Sequence, residues 1–134
     1  MYSLVLGALA ADILLTGGRI LDGAGNPWVR ADIAIREDRI VFVGDARVAG
    51  VEARETFDVS GLLVTPGLWD VHSHADLDTT EGKRALPLLY QGVTTVVLGI
   101  DGQGKNEIGS IFAEYERNGI AVNALRYVGH GPAR

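Results

Sequence analysis

From Pro66 onward the sequence alternates strand, helix and strand, and that rhythm restricts the fold more than any other feature. Val93-Thr94-Thr95-Val96-Val97-Leu98 is β-branched almost throughout and reads as a strand. Ile108, Ile111, Phe112 and Tyr115 fall at i, i+3, i+4 and i+7, one apolar face of a helix that Gly119 is placed to stop. Ala121 to Val128 reads as the next strand and Leu68 to His74 as an earlier one. Arg84 to Gln91 is a short helix ending at Gly92, provided Pro87 lies in its first turn. Strands separated by helices predict parallel βα units with right-handed crossovers.

The half before Pro66 has a different pattern: short strands punctuated by turns. Ile13-Leu14-Leu15 and Arg19-Ile20-Leu21 flank Gly17-Gly18, a hairpin signal. Asp22 to Pro27 is a loop by composition. Asp32-Ile33-Ala34-Ile35 alternates with period two, and Arg36-Glu37-Asp38-Arg39 turns the chain into Ile40-Val41-Phe42-Val43. That continuous apolar run predicts a strand buried on both faces. Thr56 to Val59 is a weaker strand, and no segment here shows capped helical periodicity. The expectation is a small antiparallel β module.

Composition removes several classes of function. At 134 residues the chain holds one ordinary domain's worth of core but not a large α/β enzyme. Its net charge is −5 and its 12 Lys and Arg residues are scattered, so nucleic-acid binding lacks an electrostatic footprint. It has no cysteine, hence no disulfide, thiolate ligand or cysteine nucleophile. No apolar run reaches the roughly 18 residues of a membrane span. Glycine is frequent, 18 residues, which implies many tight turns or sites carried on loops. Residues 1–10 read either as a clipped signal peptide, since Ala8-Leu9-Ala10 resembles a cleavage site, or as a lead-in to the first strand. Export to the periplasm follows from the first reading and a cytoplasmic location from the second.

All the histidines, His72, His74 and His130, lie at or just past the C-terminal ends of predicted parallel strands, the edge where βα folds bind ligands. On a strand, His72 and His74 point to one face, as two ligands of a single divalent cation require. Asp70 shares that face if the strand is regular, and either orients a ligand or caps a turn. Gly99 to Gly104 lies between a strand and a helix, but its glycines do not follow the dinucleotide-binding order. Ser73 and Ser110 lack a nucleophile-elbow setting. Asp76 and Asp78 read as solvated loop carboxylates.

Pro66-Gly67-Leu68-Trp69-Asp70-Val71-His72-Ser73-His74 resembles the first barrel strand of the amidohydrolase superfamily. Asp12 to Gly23 resembles the start of that superfamily's β-sandwich, and Gln91 to Gly99 its second barrel strand. The third strand, with Asn123 and a Val128-Gly129-His130 ending, is similar to the N-acyl-D-amino-acid deacylase (D-aminoacylase) branch. The resemblance implies an α/β fold: the N-terminal part of a metal-dependent-hydrolase (β/α)8 barrel, preceded by a small β-sandwich module. It implies Zn²⁺, as one or two divalent ions, and hydrolysis of N-acyl-D-amino acids. His72 and His74 are then metal ligands and His130 is substrate-proximal. Where that branch carries a ligating cysteine after the second strand, this chain has Asp101, which either ligates through oxygen or shapes a glycine-rich turn.

A barrel of this kind needs about 250 residues. Residues 61–134 number 74, about two and a half βα units. The expectation is a fragment truncated after about the third barrel strand. Residues 1–10 would be a signal remnant, 11–65 the sandwich module, and 66–134 the first βα units. The carboxylate base is expected beyond residue 134, and the isolated fragment is expected to be inactive. Two alternatives stay open: another amidohydrolase, such as a dihydropyrimidinase-like cyclic amidase or an isoaspartyl dipeptidase, and a non-catalytic gene fragment. Oligomeric state is not legible.

Overall fold

The computed structural model describes residues 9–102 and 104–131, which divide after Pro66 into two compact units. Most of the 1–10 segment therefore lies outside the described residues.

The first unit is built on β1 (Leu9–Ile20), the long strand at its centre. β2 (Val29–Arg36) pairs with it antiparallel, matching Ile13 to Ile35 and Ile20 to Val29. β3 (Arg39–Gly44) returns antiparallel on β2. A single turn, α1 (Ala46–Ala49), leads to β4 (Val51–Asp58), which runs parallel to β1. The short β5 (Leu63–Val64) is also parallel to β1. The sheet is thus mixed, which corrects the antiparallel expectation: the α1 turn lets the chain cross back and enter β4 in β1's direction.

The predicted hairpin at Gly17-Gly18 is absent. β1 runs straight through the glycines with a bulge between Leu15 and Gly18. Gly17 takes φ 74°, and a Cβ there would meet the Ser60 hydroxyl at 2.3 Å. Asp32 secures the bulge, its Oδ1 accepting from Gly17 N at 2.9 Å and its Oδ2 from Ala46 N at 2.9 Å. α1 escaped sequence reading because one turn shows no periodicity. Its caps are nonetheless conventional: Asp45 accepts from Val48 N at 2.9 Å, and Gly50 is left-handed. Ala11, Leu14, Ala34 and Ala46 form the small core. β3 is not buried on both faces as predicted: Ile40 is 65% exposed and Val43 52%. It is an edge strand of its sheet, paired on one side only, with β2.

The second unit is a parallel sheet of β6 (Leu68–Asp70), β7 (Val93–Leu98) and β8 (Asn123–Arg126), in sequence order. A 3₁₀ turn at Gly82–Arg84 and the one-turn α2 (Leu86–Leu89) connect β6 to β7, with Pro87 in the first turn of α2. α3 (Ile108–Asn118) connects β7 to β8. Ile111 and Tyr115 are buried, and Gly119 ends the helix by donating to the Tyr115 carbonyl at 2.8 Å. Leu77, Ala85, Val96, Leu98 and Val122 complete the core with those two side chains. β6 and β8 are shorter than predicted, so His72 and His74 lie past the end of β6 rather than on it. Among the described residues no helix is long and apolar enough to cross a membrane.

Candidate metal centre

The chain leaves β6 through an Asx turn, in which Asp70 Oδ1 accepts from His72 N at 3.2 Å. Asp70 thus caps a turn. One residue on, Ser73 N donates to the Val97 carbonyl at 3.0 Å, so the segment stays tied to β7 after the strand formally ends. Ser73 is buried, 4% exposed, while its neighbours His72 and His74 are exposed. The alternation expected of a strand therefore persists past the strand's end. It sends both imidazoles to one side.

Asp101 arrives from the loop after β7. Gly99, Asp101 and Gly102 all have positive φ, 74°, 59° and 75°. Aspartate is among the few side-chain-bearing residues that tolerate that region. The loop is clamped against the chain leaving β8 by backbone contact. A Cβ on Gly99 would meet the Tyr127 carbonyl oxygen at 2.4 Å, and one on Gly129 would meet the Gly104 carbonyl oxygen at 2.0 Å. Gly131 N also donates to the Gly102 carbonyl at 3.1 Å. Sequence reading assigned these glycines no role in the site. Their density around a strand-end carboxylate was the available signal.

Asp101 Oδ2 lies 3.1 Å from His74 Nε2 and 3.3 Å from His72 Nε2. The imidazole centroids are 5.8 Å apart at 55°. One donor atom from each residue lies within 4.8 Å of the others. Zinc bonds of about 2.0–2.1 Å to nitrogen and oxygen put neighbouring tetrahedral donors roughly 3.3 Å apart. The separations of 3.1 and 3.3 Å are close to that edge, and the shorter is also within hydrogen-bond reach. Two imidazole nitrogens and a carboxylate oxygen are also a chemically suitable set for zinc. The side chains of His72, His74 and Asp101 are 63%, 71% and 51% exposed, so the centre is open on one side. His130 is not part of this cluster. It is exposed, in the loop after β8, its Cβ 3.8 Å from the position a Cβ on Gly102 would take.

Asp78 is not the simple solvated carboxylate expected. Its Oδ2 accepts from Lys105 Nζ at 3.0 Å and its Oδ1 from the Tyr115 hydroxyl at 3.0 Å. The Lys105 hydrogen bond holds its carboxyl below the usual carboxylate range, and burial pushes the Tyr115 phenol above its ordinary value. Asp76 caps its own loop, accepting from Asp78 N and the Thr79 hydroxyl.

No family model matches the chain. A D-aminoacylase of Alcaligenes xylosoxydans xylosoxydans is 46% identical over 88 residues, which cover 66% of this chain and 18% of the relative. Adenine deaminase 1 of Desulfotalea psychrophila is 31% identical over 124 residues, 87% of this chain and 20% of that protein. The crystal structure of N-acyl-D-glutamate deacylase from Bordetella bronchiseptica, complexed with zinc and a phosphonate inhibitor, is similar with a TM-score of 0.77 and 31% identity. That likeness covers 90% of this chain and 30% of the other. The chain thus spans about a fifth of the curated relatives' length. Over the stretch they share, the chain is similar in both sequence and fold to D-aminoacylases and N-acyl-D-amino-acid deacylases.

Proposed function

We propose that this segment supplies part of the metal centre of a zinc-dependent amidohydrolase that removes the acyl group from N-acyl-D-amino acids. One observation carries the reading: His72, His74 and Asp101 bring donor atoms together at the C-terminal ends of consecutive parallel strands. In this reading residues 66–134 are the first βα units of a (β/α)8 barrel and residues 11–65 belong to a β-sandwich. His72 and His74 would hold the cation through Nε2, and Asp101 through Oδ2. Zinc, when bound, lowers the pKa of its water and polarises the acyl carbonyl. The Asx turn at Asp70 and the Ser73–Val97 bond keep the two imidazoles aimed at one point. The glycine clamp keeps Asp101 in reach of both. His130, beside the Asp101–Gly102 turn, would face the substrate rather than the metal.

The likeness to an adenine deaminase supports a second reading, hydrolytic deamination of a purine at the same centre. The higher identity to a D-aminoacylase favours the deacylase. The test is to assay the whole polypeptide that carries this segment, zinc-loaded, for free D-amino acid from N-acetyl-D-amino acids and for ammonia from adenine. Release of the D-amino acid, lost in His72→Ala, is expected. Ammonia from adenine without any D-amino acid would overturn the proposal.

A further inference from the structure

The loop that carries His74 and the loop that carries Asp101 are joined by a second link, four residues beyond each of those side chains. Asp78 follows His74 by four residues, and Lys105 follows Asp101 by four. Their side chains meet at 3.0 Å. Asp78 is held in place from two directions. Its neighbour Leu77 is 1% exposed in the core, and its Oδ1 accepts from Tyr115 on α3, whose hydroxyl also receives Arg126 Nη2 at 3.3 Å. Gly104, next to Lys105, is buried against the Tyr127 carbonyl. The pair thus spans two segments that are each anchored on the core side.

We infer that the Asp78–Lys105 pair is a positioning device for the metal centre, setting the separation between the imidazole of His74 and the carboxylate of Asp101. The inference rests on the reading of those residues as metal donors. Two loops that must converge on one cation lose affinity when either drifts, because donor distances tolerate only about 0.2 Å. A link four residues beyond each donor restricts that drift without touching the cation. The pair itself is exposed, the Lys105 side chain 64% and the Asp78 side chain 45% accessible, so replacing Lys105 alone changes overall stability little at neutral pH. Its effect falls on the donors' relative position.

The test uses Co²⁺ alone as the probe, titrated into the full chain and followed by visible d–d absorption. The wild type is expected to bind with a spectrum that His72→Ala abolishes. Lys105→Met is expected to bind about five-fold more weakly, less than the roughly ten-fold or more lost with a partner hydrogen-bonded directly to a ligand, while unfolding at the wild-type denaturant midpoint. Lys105→Arg, which keeps the charge, restores the affinity. Raising the salt narrows the gap between wild type and Lys105→Met, since the link is exposed to screening. A wild type that binds Co²⁺ through His72, with Lys105→Met indistinguishable from it at low salt, overturns the positioning role and leaves the metal centre standing. A wild type without any histidine-dependent spectrum overturns the metal reading, and this inference with it.

Discussion

Replacing Gly129 with alanine inserts one methyl group between two loops that touch backbone to backbone. The new Cβ would stand 2.0 Å from the Gly104 carbonyl oxygen, 2.7 Å from its nitrogen and 2.8 Å from its carbonyl carbon. Real Cβ atoms do not approach closer than 3.0 Å, and none of the three atoms is the end of a flexible side chain. The Gly104 backbone must therefore retreat by about 1 Å, in the loop that carries Asp101. Overpacking of this kind costs about 1–3 kcal/mol of stability. The same shift is roughly five times the distance tolerance of a metal site, so zinc affinity is expected to fall at least about ten-fold. Zinc affinity is measured by competition with a chromophoric chelator, and stability by urea denaturation. Gly109→Ala is the control. It lies in α3 with nothing within 4 Å of its added methyl, and should gain about 0.5–1 kcal/mol with zinc affinity unchanged. Wild-type zinc affinity in Gly129→Ala would refute the clamp as the support of Asp101.

Three further outcomes are expected. Leu77→Ala removes the 1%-exposed anchor of the loop after β6 and should cost about 3 kcal/mol, read from the urea midpoint. Asp101→Ala should reduce bound zinc in elemental analysis, and Asp101→Cys should retain it with a sulfur-to-metal charge-transfer band when cobalt is substituted; unchanged loading in Asp101→Ala would count against Asp101 as a donor. Stability should also depend on pH at both extremes. The lowered carboxyl of Asp78 contributes above about pH 4 and its contribution is lost as pH falls through its depressed pKa, so Asp78→Asn should flatten the acid limb. The raised phenol of Tyr115 contributes below about pH 10 and its contribution is lost as pH rises through its elevated pKa, so Tyr115→Phe should flatten the alkaline limb.

Parts of the fold were legible because a local pattern forced them. The β-branched run at Val93–Leu98 is a strand in any buried context, and the Ile111–Tyr115 face can only pack inward. His72 and His74 were legible as a pair because alternation survives one hydrogen bond past β6. Gly17-Gly18 misled because a glycine doublet signals a left-handed backbone without saying whether the chain reverses or bulges. Here the chain bulges, with Gly17 N donating to Asp32, a residue remote in sequence. The parallel pairing of β1 with β4 is likewise a long-range choice that neither strand encodes alone. Asp78 looked solvated because its partners, Lys105 and Tyr115, stand 27 and 37 residues away.

The donors and the parts that hold them are made of different material. Leu77, the glycine contacts and the strand-end hydrogen bonds fix where positions 72, 74 and 101 lie, and none of these uses the side chains at those positions. The chemical identity of a donor can therefore change while its address in space stays the same, subject at position 101 to tolerance of a left-handed backbone. On the proposed reading of these residues as donors, such a scaffold lets the hardness of the site change at little cost to the fold beneath it.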